Sequence, residues 1–164
     1  MQIKDIMSHP VVTCSTAAMA DEAARLMWEN DCGIVPIVDA DGHLSGVITD
    51  RDLCMAAYTQ GMALAAIPVT SAMAGHVAAA HVDDSVESVE SLMRASQIRR
   101  VPILDRNDRL AGIVAMNDLA RLAVRSHRNG VDRELVKTMA AVCQPRAHAG
   151  VAQPALVERP SVAV

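Results

Sequence analysis

The chain has 164 residues, a formal net charge of −4 at pH 7 and 51% apolar residues. That length suits one ordinary domain or two small units sharing a core. The acidic balance argues against nucleic acid as a partner, which wants a concentrated basic face. With no Phe, one Trp (Trp28) and one Tyr (Tyr58), the chain has almost no rings of the kind on which single-strand binders stack bases.

In chain order, residues 1–8 read as a short leading helix or linker ended by His9-Pro10. Residues 11–14 are β-prone, and 17–30 form a helix with Ala20, Ala23, Ala24 and Met27 on one face. A strand follows at 34–38, where Pro36 implies an edge position or an irregular entry. Residues 39–42 make a hairpin loop, 44–48 return as a strand, and 50–60 form a helix stopped by Gly61. The pattern then recurs: strand 78–81, helix 85–96 capped by Ser85, strand 101–104, turn 105–108, strand 110–114 and helix 116–125. A further helix is expected at 132–142. From residue 145 onward periodicity is lost and the chain is expected to be disordered.

The recurrence is a true repeat. A shift of 66 aligns residues 3–53 with 69–119 without a gap. It leaves identities at Met7/Met73, Val11/Val77, Leu26/Leu92, Met27/Met93, Val35/Val101, Pro36/Pro102, Ile37/Ile103, Asp39/Asp105, Leu44/Leu110, Gly46/Gly112, Asp52/Asp118 and Leu53/Leu119. Two copies are too few for a solenoid and suit a pseudo-symmetric pair. The division along the chain is therefore unit 1 at 1–61, a linker at 62–67, unit 2 at 68–125, a C-terminal helix within 126–144 and a tail at 145–164.

The chemistry concentrates in Gly46-Val47-Ile48-Thr49-Asp50-Arg51-Asp52-Leu53, a buried strand running into a helix. Thr49 and Asp50 both suit a helix N-cap, and such a junction gathers free N–H groups and the positive end of the helix dipole. Two readings stand side by side. Thr49 and Asp52 are a capping box serving their own helix, or a hydroxyl and a carboxylate offered to the phosphate and ribose of a nucleotide.

Asp5-Ile6-Met7 stands at the start, and two stretches, Cys32-Gly33-Ile34-Val35-Pro36-Ile37-Val38-Asp39 and the Gly46–Leu53 motif, return in the second copy as Ile98-Arg99-Arg100-Val101-Pro102-Ile103-Leu104-Asp105 and Gly112-Ile113-Val114-Ala115-Met116-Asn117-Asp118-Leu119. With these the chain resembles a tandem pair of cystathionine-beta-synthase (CBS) domains, a Bateman module of the stand-alone bacterial signal-transduction type, over residues 1 to about 124. The resemblance implies an α/β fold of two β-α-β-β-α units packed through their sheets, with adenine nucleotides bound in clefts between them. It implies that Asp52 and Asp118 chelate ribose hydroxyls, that Thr49 meets the α-phosphate, and that Ile34, Val35, Pro36 and Ile48 line the base, with Val101, Pro102, Val114, Ala115 and Asn117 at the corresponding places. Val77, His81 and Val82 would border the Asp52 cleft, and Thr13 and Cys14 the Asp118 cleft. The second motif departs from the first: Ala115 replaces the hydroxyl, while Arg99 stands where the family often has a phosphate-contacting arginine and the first copy has Gly33. Arg99 and Arg100 also read as a solvated patch, or as ion-pair partners of Asp50 or Asp105.

The ligands so implied are AMP first, then ATP, ADP or NAD, with an S-adenosyl compound as a substitute. No metal is required, and the output goes to a separate effector protein from a homodimer. The different-class alternative is a ligand-free dimerising module. An enzyme is disfavoured, since no nucleophile–base grouping has local support. The histidines (9, 43, 76, 81, 127 and 148) lack the i, i+4 spacing of a metal site. Met19, Met27, Met55, Met62, Met73, Met93 and Cys54 are expected in the core. Scattered cysteines, no signal-like N-terminus and no apolar run long enough to span a bilayer point to the cytoplasm, away from membranes.

Overall fold

The computed structural model describes residues 1–126 and 129–144, with side chains up to residue 125 and from 133. The tail at 145–164, His127 and His148 lie outside these residues. Two three-stranded sheets of the same topology carry the fold: β1 (Cys14–Ser15), β2 (Ile34–Val38) and β3 (Leu44–Thr49), then β4 (Ala80–His81), β5 (Arg100–Leu104) and β6 (Leu110–Ala115). In each, a two-residue strand pairs in parallel with the middle strand, which pairs antiparallel with the third. The registers repeat at the same offset of 66, with Cys14 opposite Ile37 and Ala80 opposite Ile103. Helices α1 (Ala20–Glu29), α2 (Asp50–Gln60), α3 (Val69–Ala72), α4 (Val86–Ser96), α5 (Met116–Ser126) and α6 (Asn129–Val142) complete the α/β architecture that the repeat implied.

Local sequence determines the helix ends well. Thr49 caps α2 and Gly61, at φ 64, stops it; the Ser85 hydroxyl accepts the Ser88 N–H at the start of α4. The repeat extends to unusual backbone. Asp31 (φ 47) and Gln97 (φ 49) occupy the same place in the two copies, as do Gly42 (φ 85) and Asp108 (φ 58). Asp is one of the residues for which this left-handed region is least costly.

Three expectations need correction. Residues 11–13 and 78–79 are not strand, because β1 pairs only through Cys14 and Ser15 and β4 only through Ala80 and His81. Pro36 lies on the central strand, not an edge. It pairs with Val47, whose N–H and C=O both bond outward to Ala74 (3.1 and 2.9 Å). The Pro36–Val47 pair thus exchanges no bonds, and the missing N–H faces the side where β1 has not yet begun. Helix α1 begins at Ala20 rather than 17, because long-range pairing takes the preceding backbone: Ala18 C=O accepts Val69 N–H (3.0 Å), and Ala20 N–H donates to Ile67 C=O (2.8 Å).

The two cores cross the division drawn along the chain. Ile67 and Val69 are fully buried with Val35, Ile37 and Ile48 of unit 1. Ile3, near the start of the chain, is buried with Val101, Ile103 and Val114 of unit 2. Each edge strand receives a bridge from the segment preceding the other unit: Ala74 on Val47, and Ser8 on Ile113 (3.1 and 2.9 Å). The invariant Met–Gly pairs explain themselves here. Met73 lies over Gly46, where an added Cβ would stand 2.5 Å from its sulfur, and Met7 lies over Gly112 in the same way.

At the hairpin tips, Leu110 N–H donates to Gly42 C=O (3.2 Å), and His43 bridges Arg109, its own counterpart in the repeat. The pseudo-twofold axis therefore passes through that bridge. Helix α6 breaks the symmetry. It packs on α4 and α5, with Leu135 and Val142 against the second core and the Arg94 guanidinium donating to Thr138 (2.8 Å). Among the described residues nothing equivalent covers α1 and α2, so Trp28 and Tyr58 stand 89% and 62% exposed. Met27 and Met93 are core residues as expected and Met73 is half-buried, but Met19, Met55, Met62 and Cys54 are exposed. The reason on α2 is angular: Leu53 and Ala56 face the core, and Cys54 and Met55 fall between them on the outer side. No helix among the described residues is long and apolar enough to cross a membrane.

Two outcomes follow from this packing. Gly46→Ala forces the new methyl onto the Met73 sulfur and to 2.9 Å from the Ala74 carbonyl oxygen. Urea unfolding should show a loss of about 1–3 kcal/mol, the usual cost of overpacking. Glu90, 4% exposed on α4, is the other. Burial raises its pKa above the ordinary 4.5, Arg94 partly opposes, and Glu134 and Glu87 add to the rise. Charging it therefore removes stability as pH climbs from about 4.5 through the raised folded value. Glu90→Gln should melt like wild type at pH 4 and at a higher temperature at pH 7.

Candidate functional site

The β3–α2 junction forms as its residues dictate. Thr49 is extended (φ −115, ψ 165), and its Oγ1 accepts the Asp52 N–H at 3.3 Å. Asp52 Oδ2 in turn accepts the Thr49 N–H (2.9 Å) and its hydroxyl (2.7 Å). The capping-box reading is thus realised. It leaves Asp52 Oδ1 without a hydrogen bond among the described residues, and it holds the Thr49 side chain at the helix start.

The second copy is wired differently. Ala115 has no hydroxyl, and its N–H donates to Asp118 Oδ2 at 2.7 Å. Asp118 Oδ1 accepts the Ser8 hydroxyl (3.4 Å) and a short ion pair from Arg121. Both oxygens of Asp118, only 5% exposed, are therefore taken by the protein. A ribose would have to displace Arg121.

Two cavities correspond to the two junctions. The larger, of about 1130 Å3, opens between the units. Ile34, Thr49, Val77, Arg99, Arg100 and Pro102, all expected site residues, line it together. Its wall also includes Arg51, His76, Gln97 and Val142 of α6, which the sequence reading did not assign to a site. Arg51 lies inside the motif and was readable there. His76 and Val142 arrive through tertiary packing alone. The smaller cavity, of about 280 Å3, is bounded by Asp118, Arg121, Arg125 and residues 5–8. Residues 5–8 stand where Thr13 and Cys14 were expected to border it. The phosphate-type arginine Arg99 lies in the Thr49 cavity, not with Asp118.

The remaining expected residues lie off both walls. Val35, Ile48, Val101 and Val114 are wholly buried in the cores, and Cys14 and Pro36 are buried as well. Asp52 is half-buried and bonded to Thr49. His81 is exposed and bonded to Asp108 (3.1 Å), and Val82 packs on the second core. Thr13 and Asn117 are exposed and Ala115 is half-buried. Arg99 and Arg100 form no ion pair with Asp50 or Asp105 among the described residues, which leaves the solvated-patch reading or a ligand. On the first hairpin, Asp39, Asp41 and His43 bring ligand atoms within 4.8 Å of one another, a grouping that a search for paired histidines passes over. Asp39 Oδ1 there accepts the N–H groups of Asp41 and His43 (both 2.9 Å), and these bonds keep its pKa below the ordinary range.

A family model, the CBS domain, matches residues 3–58 and 69–125. The CBS domain-containing protein YhcV of Bacillus subtilis is 39% identical over 118 residues, which span 72% of this chain and 82% of that one. The CBS domain pair of protein MJ0100, solved in complex with 5′-methylthioadenosine and S-adenosyl-L-methionine, superposes with a TM-score of 0.68 at 31% identity. The match covers 76% of this chain and 97% of that one. Hypoxic Response Protein I of Mycobacterium tuberculosis, solved with two coordinated zinc ions, has the same TM-score at 29% identity, over 74% of this chain and 98% of its own.

The capping role makes a ligand-free measurement informative. Thr49→Ala should lower unfolding stability by about 0.5–2 kcal/mol, as loss of an N-cap hydroxyl does. Urea titration without any nucleotide reads this directly.

Proposed function

Because the chain belongs to the CBS-domain family as a tandem pair, we propose that the cavity at Thr49 binds an adenosine-containing ligand, and that this regulatory binding, not catalysis, is what the module contributes. The observation that carries the reading is the helix start at Thr49. A hydroxyl held by its own capping box opens there onto a cavity large enough for a nucleotide, with aliphatic side chains and arginines on the wall. Ile34, Val77 and Pro102 offer flat apolar surface to a base in a chain almost without aromatic rings. Thr49 and the helix dipole suit a phosphate, and the unbonded Oδ1 of Asp52 suits a ribose hydroxyl.

AMP, ATP, ADP and NAD all present that adenosine end. The Asp118 cleft is the weaker of the two, since Arg121 already occupies its carboxylate. Regulation would pass from the Thr49 cavity to a separate effector protein. The one imidazole on the cavity wall, His76, has no carboxylate beside it there, and the Thr49 hydroxyl is bonded to Asp52.

A second reading, a dimerising module, is favoured by the uncovered face of α1 and α2, where the only Trp and the only Tyr of the chain are exposed. An isologous contact through that face would bury both. Light scattering at micromolar concentration should then show a dimer, and a monomer would remove this reading.

Calorimetry with AMP, ATP and NAD tests the primary reading. Asp52→Ala should weaken binding by about 10- to 100-fold, the worth of a charge-assisted hydrogen bond. Asp118→Ala, in the other cleft, should change it by less than about threefold, well under the energy of one such bond. No heat and no thermal shift with any of the three nucleotides would sink the proposal.

A further inference from the structure

We infer that the Thr49 cavity selects among adenosine ligands by negative charge, taking a di- or triphosphate over a neutral or sulfonium-bearing adenosine. This rests on the nucleotide reading above and specifies the ligand's class. Three guanidinium groups, Arg51, Arg99 and Arg100, and the imidazole of His76 face the cavity, and no Asp or Glu lies on its wall.

The three wall arginines differ from others that the chain neutralises: Arg25 pairs with Glu22 and Glu29, Arg94 with Glu134, Arg106 with Asp83 and Arg121 with Asp118. None of the three wall arginines has an ion pair among the described residues. Asp50 is an acid near Arg100. Its Oδ2 and Arg100 Nη2 lie 3.2 and 3.7 Å from the place where a Gly33 Cβ would stand. Its Oδ1 accepts the Arg51 N–H at 2.7 Å, so this carboxylate is held at the helix start, off the cavity wall.

Like charges gathered at a cleft with low-dielectric walls focus the field outward and draw in counter-ions of the opposite sign. Guanidinium is also the side chain best matched to phosphate, because its forked donors take two oxygens at once. The three come from both units, Arg51 from the first turn of α2 and Arg99 and Arg100 from the entry to β5. A phosphate chain can therefore engage both sides of the cleft, whereas a single phosphate at Thr49 has less reach. Space does not limit this, since about 1130 Å3 exceeds the roughly 300–1,000 Å3 of ordinary ligand pockets. A sulfonium in the same place meets like charge on the wall.

The test is calorimetry on the full chain in EDTA, at low and moderate salt, with 5′-methylthioadenosine, S-adenosyl-L-methionine, AMP, ADP, ATP and tripolyphosphate alone. Affinity should climb by about tenfold or more from methylthioadenosine to ATP, with AMP and ADP between and S-adenosylmethionine weakest. ATP affinity should fall with salt while that of methylthioadenosine holds, a readout that needs no variant. Arg51→Gln, Arg99→Gln or Arg100→Gln should each weaken ATP by about 10- to 100-fold, at least tenfold more than it weakens methylthioadenosine. If methylthioadenosine or S-adenosylmethionine binds as tightly as ATP, or if the variants weaken every ligand equally, charge selection is wrong while the nucleotide reading stands. Tripolyphosphate binding without any adenosine compound would keep the anion site and remove the nucleotide reading. Binding of none would remove both.

Discussion

The structure depends on a crossed backbone bridge. Each edge strand, β3 or β6, lacks a neighbour on its outer side, and the chain supplies one from the segment that precedes the other unit. Ala74 closes β3 and Ser8 closes β6, each with two short N–H···O bonds. An open strand edge invites pairing with another chain, and the crossing removes that liability for both sheets at once. It also makes the units mutually dependent, because Ile3 and Met7 complete the second core while Ile67 and Met73 complete the first. Neither unit has a whole core of its own.

The same crossing builds the cleft. Pairing of Ala74 with Val47 brings His76 and Val77 past the mouth of the Thr49 junction, and all four residues line the large cavity. Its partner bridge brings residues 5–8 to Asp118, where the Ser8 hydroxyl helps to occupy the carboxylate. Two junctions of nearly the same sequence thus end as one wide cavity and one small, internally satisfied one. The difference traces to a few side chains: Thr49 against Ala115, and Arg121, which reaches back three residues along its helix to Asp118, where the first copy has Met55.

Much of this was legible along the chain. The α2 helix with its Thr49 cap and Gly61 stop and the repeat offset of 66 follow from local capping chemistry and from matching two copies, whereas Arg99, expected with Asp118, lines the Thr49 cavity. What could not be read locally is set by distant partners. The brevity of β1, the late start of α1 and the burial of Ile3 in the second core all depend on which segment pairs with which, and the crossing inverts the order that chain proximity suggests. Pro36 misled for the same reason: a proline marks an edge only if every position of a central strand must donate, and a two-residue neighbour leaves one position free. Met55 and Cys54 on α2 mislead through a different fault, since an apolar side chain is buried only on the face that the helix turns inward. Arg121 lay within reach of spacing arguments, three residues after Asp118.

The near absence of aromatic residues has an optical consequence. Trp28 is the sole indole of the chain and stands almost wholly in water on α1, so its emission is already that of a solvated ring in the native protein. Unfolding has little environment left to change around it. A blue shift in this protein's fluorescence would therefore report something arriving at α1, and would be nearly silent on whether the cores themselves had melted.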